Sequence, residues 1–596
     1  MVTGELLLLL GGHLLLTGLP GAAAALLAAR LGVRWLPVLL ALALAASGAV
    51  GLLGFWSYYG GRVLGETFSY FILLGSAGAV GWCLYEGRIA RSLLRGLATP
   101  FALWALGSVF LTFLGFVHGG VDHPIATSTT RFSHALPTDS EIPFFFTEWF
   151  FHHGHQLPIP EFPGEWLASD RPPLQIGYAL FQHPFPGAWG REGLSYQVLG
   201  VVLQQLWIVG LWALLLAARV GRLTRGLAMI VVAVSDLAIV NGFFVWPKLL
   251  PAAMLLAAAA LVMTPLWLQL RRNLWAAALV ATLCALAMLG HGSSAFGIVP
   301  LALVAVWRGL PSWRWLGVAV AVGIVLMAPW SAFQKYADPP GNRLVKWTLA
   351  GRLEVDNRGS LEVIEDAYRE AGLGGTLHNK AENFATISGG TMAPRALEAA
   401  LESGNLSEIV RNVRIVGFFY LLPSMWLALL APVAMAIGWR RRGRNPVEWG
   451  FALACFLVAF VGTVLWALFV FGNGPDRTLV HISSYLIPIL GMVGAVAGLR
   501  AVLPRFALAW FGLGAVLSLA VYAPALDPPE GSSYSAALAI VAVAALSGFV
   551  LLALRGGESP EPGAAGDALA APAPLKRRPA AATVAGDGGE PSRQRS

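Results

Sequence analysis

The stretch from Thr138 to Pro158 reads TDSEIPFFFTEWFFHHGHQLP. It continues through Gly164-Glu165-Trp166 to Ser169-Asp170-Arg171-Pro172-Pro173-Leu174-Gln175. Only 12% of the chain is Asp, Glu, Lys or Arg, yet this stretch gathers Asp139, Glu141, Glu148, Glu161, Glu165, Asp170 and Arg171. Long apolar runs flank it on both sides. Acids beside a bilayer are costly unless they stay wet or carry a function. The stretch therefore reads as a working loop held at a membrane surface by the rest of the chain.

The 596 residues are 57% hydrophobic, with a mean hydropathy of +0.67. A soluble chain is about half apolar and about a quarter charged. This composition excludes an ordinary soluble enzyme and indicates an all-α polytopic integral membrane protein. The 22 tryptophans suit aromatic anchoring of helix ends. Cys83, Cys284 and Cys455 each lie in an apolar run and suit packing rather than a disulfide or a metal site. The net charge of +8 sits mostly in short loops between apolar runs, so it does not imply a nucleic-acid partner.

A spanning helix needs roughly 20 apolar residues, which gives about 13–15 spans here. Their ranges are 5–29, 34–57, 66–88, 97–118, 195–218, 225–242, 247–270, 273–291, 294–308, 313–331, 412–437, 447–472, 479–497, 503–522 and 533–554. Arginines cluster in alternate loops: Arg30 and Arg34, Arg88 to Arg95, Arg219 to Arg225, Arg271 and Arg272, Arg308 and Arg314, Arg440 to Arg444, Arg500 and Arg505. By the positive-inside rule these loops are cytoplasmic. The remaining loops then face outward.

The chain divides into N-terminal spans (1–118), an outer loop (119–194), further spans (195–331), an outer helical insert (332–411), C-terminal spans (412–555) and a tail (556–596). In the insert, 361–372 reads as an amphipathic helix stopping at a glycine, and 395–412 reads as helical. The tail is rich in Pro, Ala and Gly and reads as disordered and cytoplasmic. No P-loop, dinucleotide fingerprint or zinc spacing is present.

Asp139 and Glu141 are carboxylates two apart outside a span. Such a pair can deprotonate a hydroxyl or hold a divalent cation. An acidic loop of no function is the alternative. Asp170-Arg171-Pro172-Pro173 presents a guanidinium on an extended backbone, which suits two-pronged binding of a phosphate. A salt-bridged turn is the alternative. Lys248 at the start of an outer helix could meet a phosphate or snorkel. His291 closes a span in Gly290-His291-Gly292-Ser293-Ser294 and reads as substrate-binding or as an interfacial cap. Asp476 and Arg477 pair with each other or serve the phosphate. His152, His153 and His155 lack a convincing metal spacing.

Taken together, the order is D-x-E, an aromatic run ending at glycine, a Trp, then Asp-Arg-Pro-Pro-Leu. It resembles the first outer loop of GT-C fold glycosyltransferases that use lipid-phosphate sugars, above all the protein O-mannosyltransferase and aminoarabinose-transferase branch. Thr138 to Gln175 carries the resemblance closely, and the many-span layout loosely. It implies a membrane glycosyltransferase with Asp139 as the catalytic base and Glu141 as its acidic neighbour. Arg171 takes the place of the family's phosphate-binding lysine, with Lys248 and Arg477 as further phosphate ligands and Asp170 and His291 on the substrate. The donor would be a polyprenyl-phosphate-linked sugar, in contact with membrane lipids, and the acceptor would lie on the outer face of a bacterial plasma membrane. This chain departs from the pattern in four ways: the loop follows the fourth span instead of the first, Arg replaces Lys, the acids are not adjacent, and no large C-terminal soluble domain is read from the sequence. Two rival readings remain: a transporter or flippase of lipid-linked substrates, and a polymerase or ligase of lipid-linked glycans.

Overall fold

Apolar runs without partner strands can satisfy their backbone in lipid only as helices. The computed structural model follows that rule. It describes residues 2–132, 136–185, 192–387, 398–399, 401–405, 407–410, 414, 426–472, 484–522 and 533–556. Apart from one isolated bridge between Phe162 and Trp166, the described residues form helices and connecting loops.

The helices used below are α1 (Val2–Arg30), α2 (Leu36–Gly60), α3 (Arg62–Tyr85), α4 (Arg91–Gly115), α5 (Pro124–Thr130), α6 (Ile142–His153), α7 (Pro173–Gln182), α8 (Glu192–Gln204) and α9 (Trp207–Ala217). They continue with α10 (Arg222–Ala233), α11 (Asp236–Phe244), α12 (Leu249–Val262), α13 (Trp267–Leu270), α14 (Leu274–Gly290), α15 (Ala295–Arg308), α16 (Trp313–Ala332), α17 (Arg343–Ala350) and α18 (Ser360–Ile387). Further helices follow at Trp426–Ile437, Pro446–Phe469, Leu486–Val502, Pro504–Tyr522 and Ala536–Arg555.

Every apolar run read from the sequence contains a helix. Fewer of these are full spans than expected. Among the described residues 9 helices are long and apolar enough to cross a membrane, or 10 if the bent pair α10–α11 is one span. The shortfall lies in short helices such as α12, α14 and α15. All 14 residues of α12 are buried, against α2, α9 and α14. A helix apolar all round suits the middle of a bundle as well as a lipid contact, so length rather than hydropathy separates the two. At the periphery, α3 and α16 leave Leu64, Phe71, Leu74, Leu316, Val320 and Ile324 exposed.

The expected outer loop 119–194 is not simply a loop. All ten residues of α7 are buried, and this helix runs down against α2. Glycines permit the approach: a Cβ on Gly177 would collide with the carbonyl of Gly51, and one on Gly54 with the carbonyl of Gly177. The aromatic helix α6 packs on the bundle. Phe150 meets Phe55 edge-on at 5.2 Å between ring centroids, and Phe333 at 6.2 Å. It stops at Gly154, whose φ of 57° favours glycine.

In the insert, α18 starts where the amphipathic pattern does and is broken at Gly372 (φ 60°), the expected stop. The Pro/Ala/Gly-rich tail lies outside the described residues, and so does much of 388–425.

Candidate active site

Four connections meet at one end of the bundle: those after α4, before α12, after α14 and after α16. Each supplies part of one narrow cleft, lined by Asp139, Pro143, Asp170, Arg171, Pro172, Gln175, Trp246, Pro247, His291, Gly292 and Leu344. Its free space is about 20 Å³. That holds about one water molecule.

Asp139 sits in the single 3-10 turn Thr138–Ser140, just before α6. Arg171 and Pro172 are extended, and α7 begins at Pro173, as the double proline demands. This brings Nη2 of Arg171 to 2.5 Å from Oδ1 of Asp139. The two side chains are only 10% and 16% exposed, so the pair is largely shielded from water. Lys248, expected either to meet a phosphate or to snorkel, is buried. Its ammonium lies 3.0 Å from the ring centre of Trp246 and 5.6 Å from that of Tyr485, and it interacts electrostatically with both Asp139 and Arg171.

Glu141 is left out of the cleft lining. In a 3-10 turn residues advance by about 120°, so positions two apart point to different sides. The D-x-E spacing thus parts the two acids that the sequence pairs. The partner of Asp139 is a cation. His291 lines the cleft, and its Nδ1 accepts from the backbone N–H of Ser293 at 3.2 Å, which places the proton of the neutral ring on Nε2. Arg477, with Asp476 and His481, lies outside the described residues.

Asp170 is buried behind Arg171. Its Oδ2 accepts from the Leu167 N–H at 3.1 Å and faces Nη1 of Arg343 at 3.6 Å. Its Oδ1 is buried with no hydrogen-bond partner. Burial pushes this carboxyl above its ordinary range, while the Leu167 N–H, Arg171 and Arg343 pull the other way.

Sequence reasoning missed the residues that hold these groups. Trp166 lies between two guanidinium groups, Arg171 at 4.4 Å and Arg343 at 4.5 Å from its ring centre. Arg343 also donates to the carbonyls of Glu165 and Leu353, both at 2.5 Å. Asp338 accepts from the Ser169 N–H at 2.7 Å, and Gln334 donates to the Ser169 carbonyl at 3.0 Å. The segment after α16 therefore fastens the Arg171 turn. On the other side, Gln204 accepts from the N–H groups of Leu249 and Leu250, capping α12 beneath Lys248, and donates to Gln175 at 3.2 Å. Gln175 donates to Tyr196 at 3.0 Å. Buried amides within an apolar bundle were the available signal, since such groups persist only where they are bonded.

The three neighbouring histidines diverge. His153 stacks on Trp149 at 4.0 Å, His152 lies 3.9 Å from Glu148, and His155 meets Tyr59 edge-on at 6.2 Å. Among the described residues no group of three or more His, Cys, Asp or Glu is placed to hold a metal ion.

A shielded carboxylate beside a guanidinium, at the end of apolar helices, can take a proton while the guanidinium receives an anion. No protein-family model, no curated protein and no solved structure matches the chain.

Proposed function

We propose that this chain is a membrane glycosyltransferase of the GT-C kind, moving a sugar from a polyprenyl-phosphate carrier to a hydroxyl acceptor on the outer face of a bacterial plasma membrane. The observation that carries this reading is the pairing of Asp139 with Arg171 in one cleft, with the buried Lys248 close enough to interact electrostatically with both. In the reaction, the acceptor oxygen bonds to the anomeric carbon as its proton passes to Asp139. The bond from that carbon to the phosphate oxygen breaks on the opposite face. Its electron pair leaves on the lipid phosphate, and the anomeric configuration inverts. Arg171 stabilises the charge that develops there, with Lys248 buried close behind, the kind of contribution that a fixed cation in a dry site makes best. His291 lines the same cleft and is the side chain we assign to the sugar, whereas Asp170 stays fully buried behind Arg171. The Arg-rich alternate loops support the outward orientation.

The test is transfer from a panel of polyprenyl-phosphate pentoses and hexoses by the full chain in liposomes. Arg171→Ala should lower turnover by about 10²–10³-fold, the cost of one lost charge-stabilising donor. Arg171→Lys should keep more. Arg171→Ala with the parent's turnover would remove the phosphate role.

One observation favours a transporter or flippase instead. Helices α10 and α11 meet at a 52° bend, with Asp236 buried at the break. Broken helices with a buried acid are characteristic of transport pathways. Movement of a labelled polyprenyl-phosphate sugar between leaflets without transfer, lost in Asp236→Asn, would favour that reading.

A further inference from the structure

We infer that the cleft takes its anionic donor before its acceptor, because the cation that must bind the phosphate is held by the carboxylate that must later act as base. The inference rests on the transfer reaction proposed above and adds an order to it.

Nη2 of Arg171 and Oδ1 of Asp139 are 2.5 Å apart, and both side chains are mostly buried. The oxygen that accepts this charge-assisted hydrogen bond has that lone pair occupied by the guanidinium. The guanidinium is no freer. One face lies against Trp166, one edge is given to Asp139, and its Nε is buried with no hydrogen-bond partner. An acceptor hydroxyl arriving first finds Oδ1 of the base already bonded to the guanidinium. A phosphodiester arriving first offers the guanidinium two oxygens in the fork geometry that suits it, including a partner for Nε. Capturing Arg171 releases Asp139 at the moment its proton-accepting power is required.

The order makes an unusual demand on mutants. If Asp139 competes with the donor for Arg171, removing its charge should tighten donor binding while abolishing turnover, because the binding-competent form no longer has to be freed from the pair. The measurement is binding of the monomethyl ester of farnesyl phosphate, an anion of fixed charge, to the detergent-solubilised full chain. Melting temperatures confirm that each variant folds. Asp139→Asn, and Asp139→Ala as a second route to the same loss, should bind about tenfold tighter than the parent, the scale of one charge-assisted hydrogen bond. Asp170→Asn is the comparison. It neutralises a carboxyl in the same cleft that is not within hydrogen-bonding distance of Arg171, and should change affinity by less than about twofold, as expected of a charge already offset by Arg343. Equal tightening in the Asp139 and Asp170 variants, or none in either, would overturn the competition while leaving the anion site intact. Absence of binding to the parent and to every variant would instead remove the phosphate site, and the order with it.

Discussion

The hydroxyl of Tyr196 donates to the carbonyl of Ser140 at 3.0 Å, one residue along the chain from Asp139. The same hydroxyl accepts from Gln175 at 3.0 Å. A short 3-10 turn has little stability of its own, so this contact from α8 holds the turn that carries the carboxylate. Tyr196→Phe keeps the ring, which packs against Phe144 at 5.1 Å, and removes only the hydroxyl. Loss of one such bond costs about 1 kcal/mol of stability. A reacting group displaced by about 1 Å can lose on the order of 10²-fold in rate. Turnover by Tyr196→Phe should fall far more than its melting temperature suggests, with donor affinity near that of the parent. A variant with the parent's turnover would show that the turn is held by other contacts.

The α2–α7 contact is tested by bulk. A Cβ on Gly177 would overlap the backbone of Gly51, and backbone cannot move aside as a side chain can. Overpacking of this kind costs typically 1–3 kcal/mol. Gly177→Ala should lower the melting temperature and weaken activity by displacing Arg171, which lies just before α7. Gly75→Ala in α3, where nothing lies within 4 Å of the added methyl, should do neither.

Orientation is tested by labelling. In a background without Cys83, Cys284 and Cys455, a cysteine at Ser403 should react with an impermeant maleimide on intact cells. One at Arg440, among the arginines after Trp426–Ile437, should react only after permeabilisation. Both positions are exposed, so burial would not confuse the result. The reverse pattern would put the cleft on the cytoplasmic side.

Much of the helical layout was legible because hydropathy marks every helix that must be apolar. It could not show which apolar helices are interior. The run that became α12 and the run that became α16 are both strongly apolar, yet one is buried all round and the other is mostly exposed. The Asp139 and Arg171 motifs were legible because charge is rare here and stands out. Their partnership was not, since 32 residues separate them and only the return of α7 into the bundle joins them. Arg343 was harder still, since it lies in a segment whose charges look like an ordinary solvated surface. The pairing of Asp139 with Glu141 was suggested by spacing in sequence; in the structure Glu141 does not line the cleft, and Asp139 meets Arg171 instead.

Asp139 carries the central claim. A base that takes a proton from a hydroxyl contributes roughly 10²–10⁴-fold to rate. Asp139→Asn keeps the shape and the reach toward Arg171 but cannot accept that proton. It should lose turnover by this range while donor binding strengthens, since a neutral amide competes less for the guanidinium. Glu141→Gln should keep substantial turnover, because Glu141 does not line the cleft. If the two carboxylates instead share a divalent cation, both changes should be severe, and chelator should inhibit the parent. If the loop has no chemical role, neither change should matter. Measuring both variants in the reconstituted transfer assay, with and without chelator, separates these outcomes. Full turnover by Asp139→Asn would end the case for a base at this position, whatever the cations beside it bind.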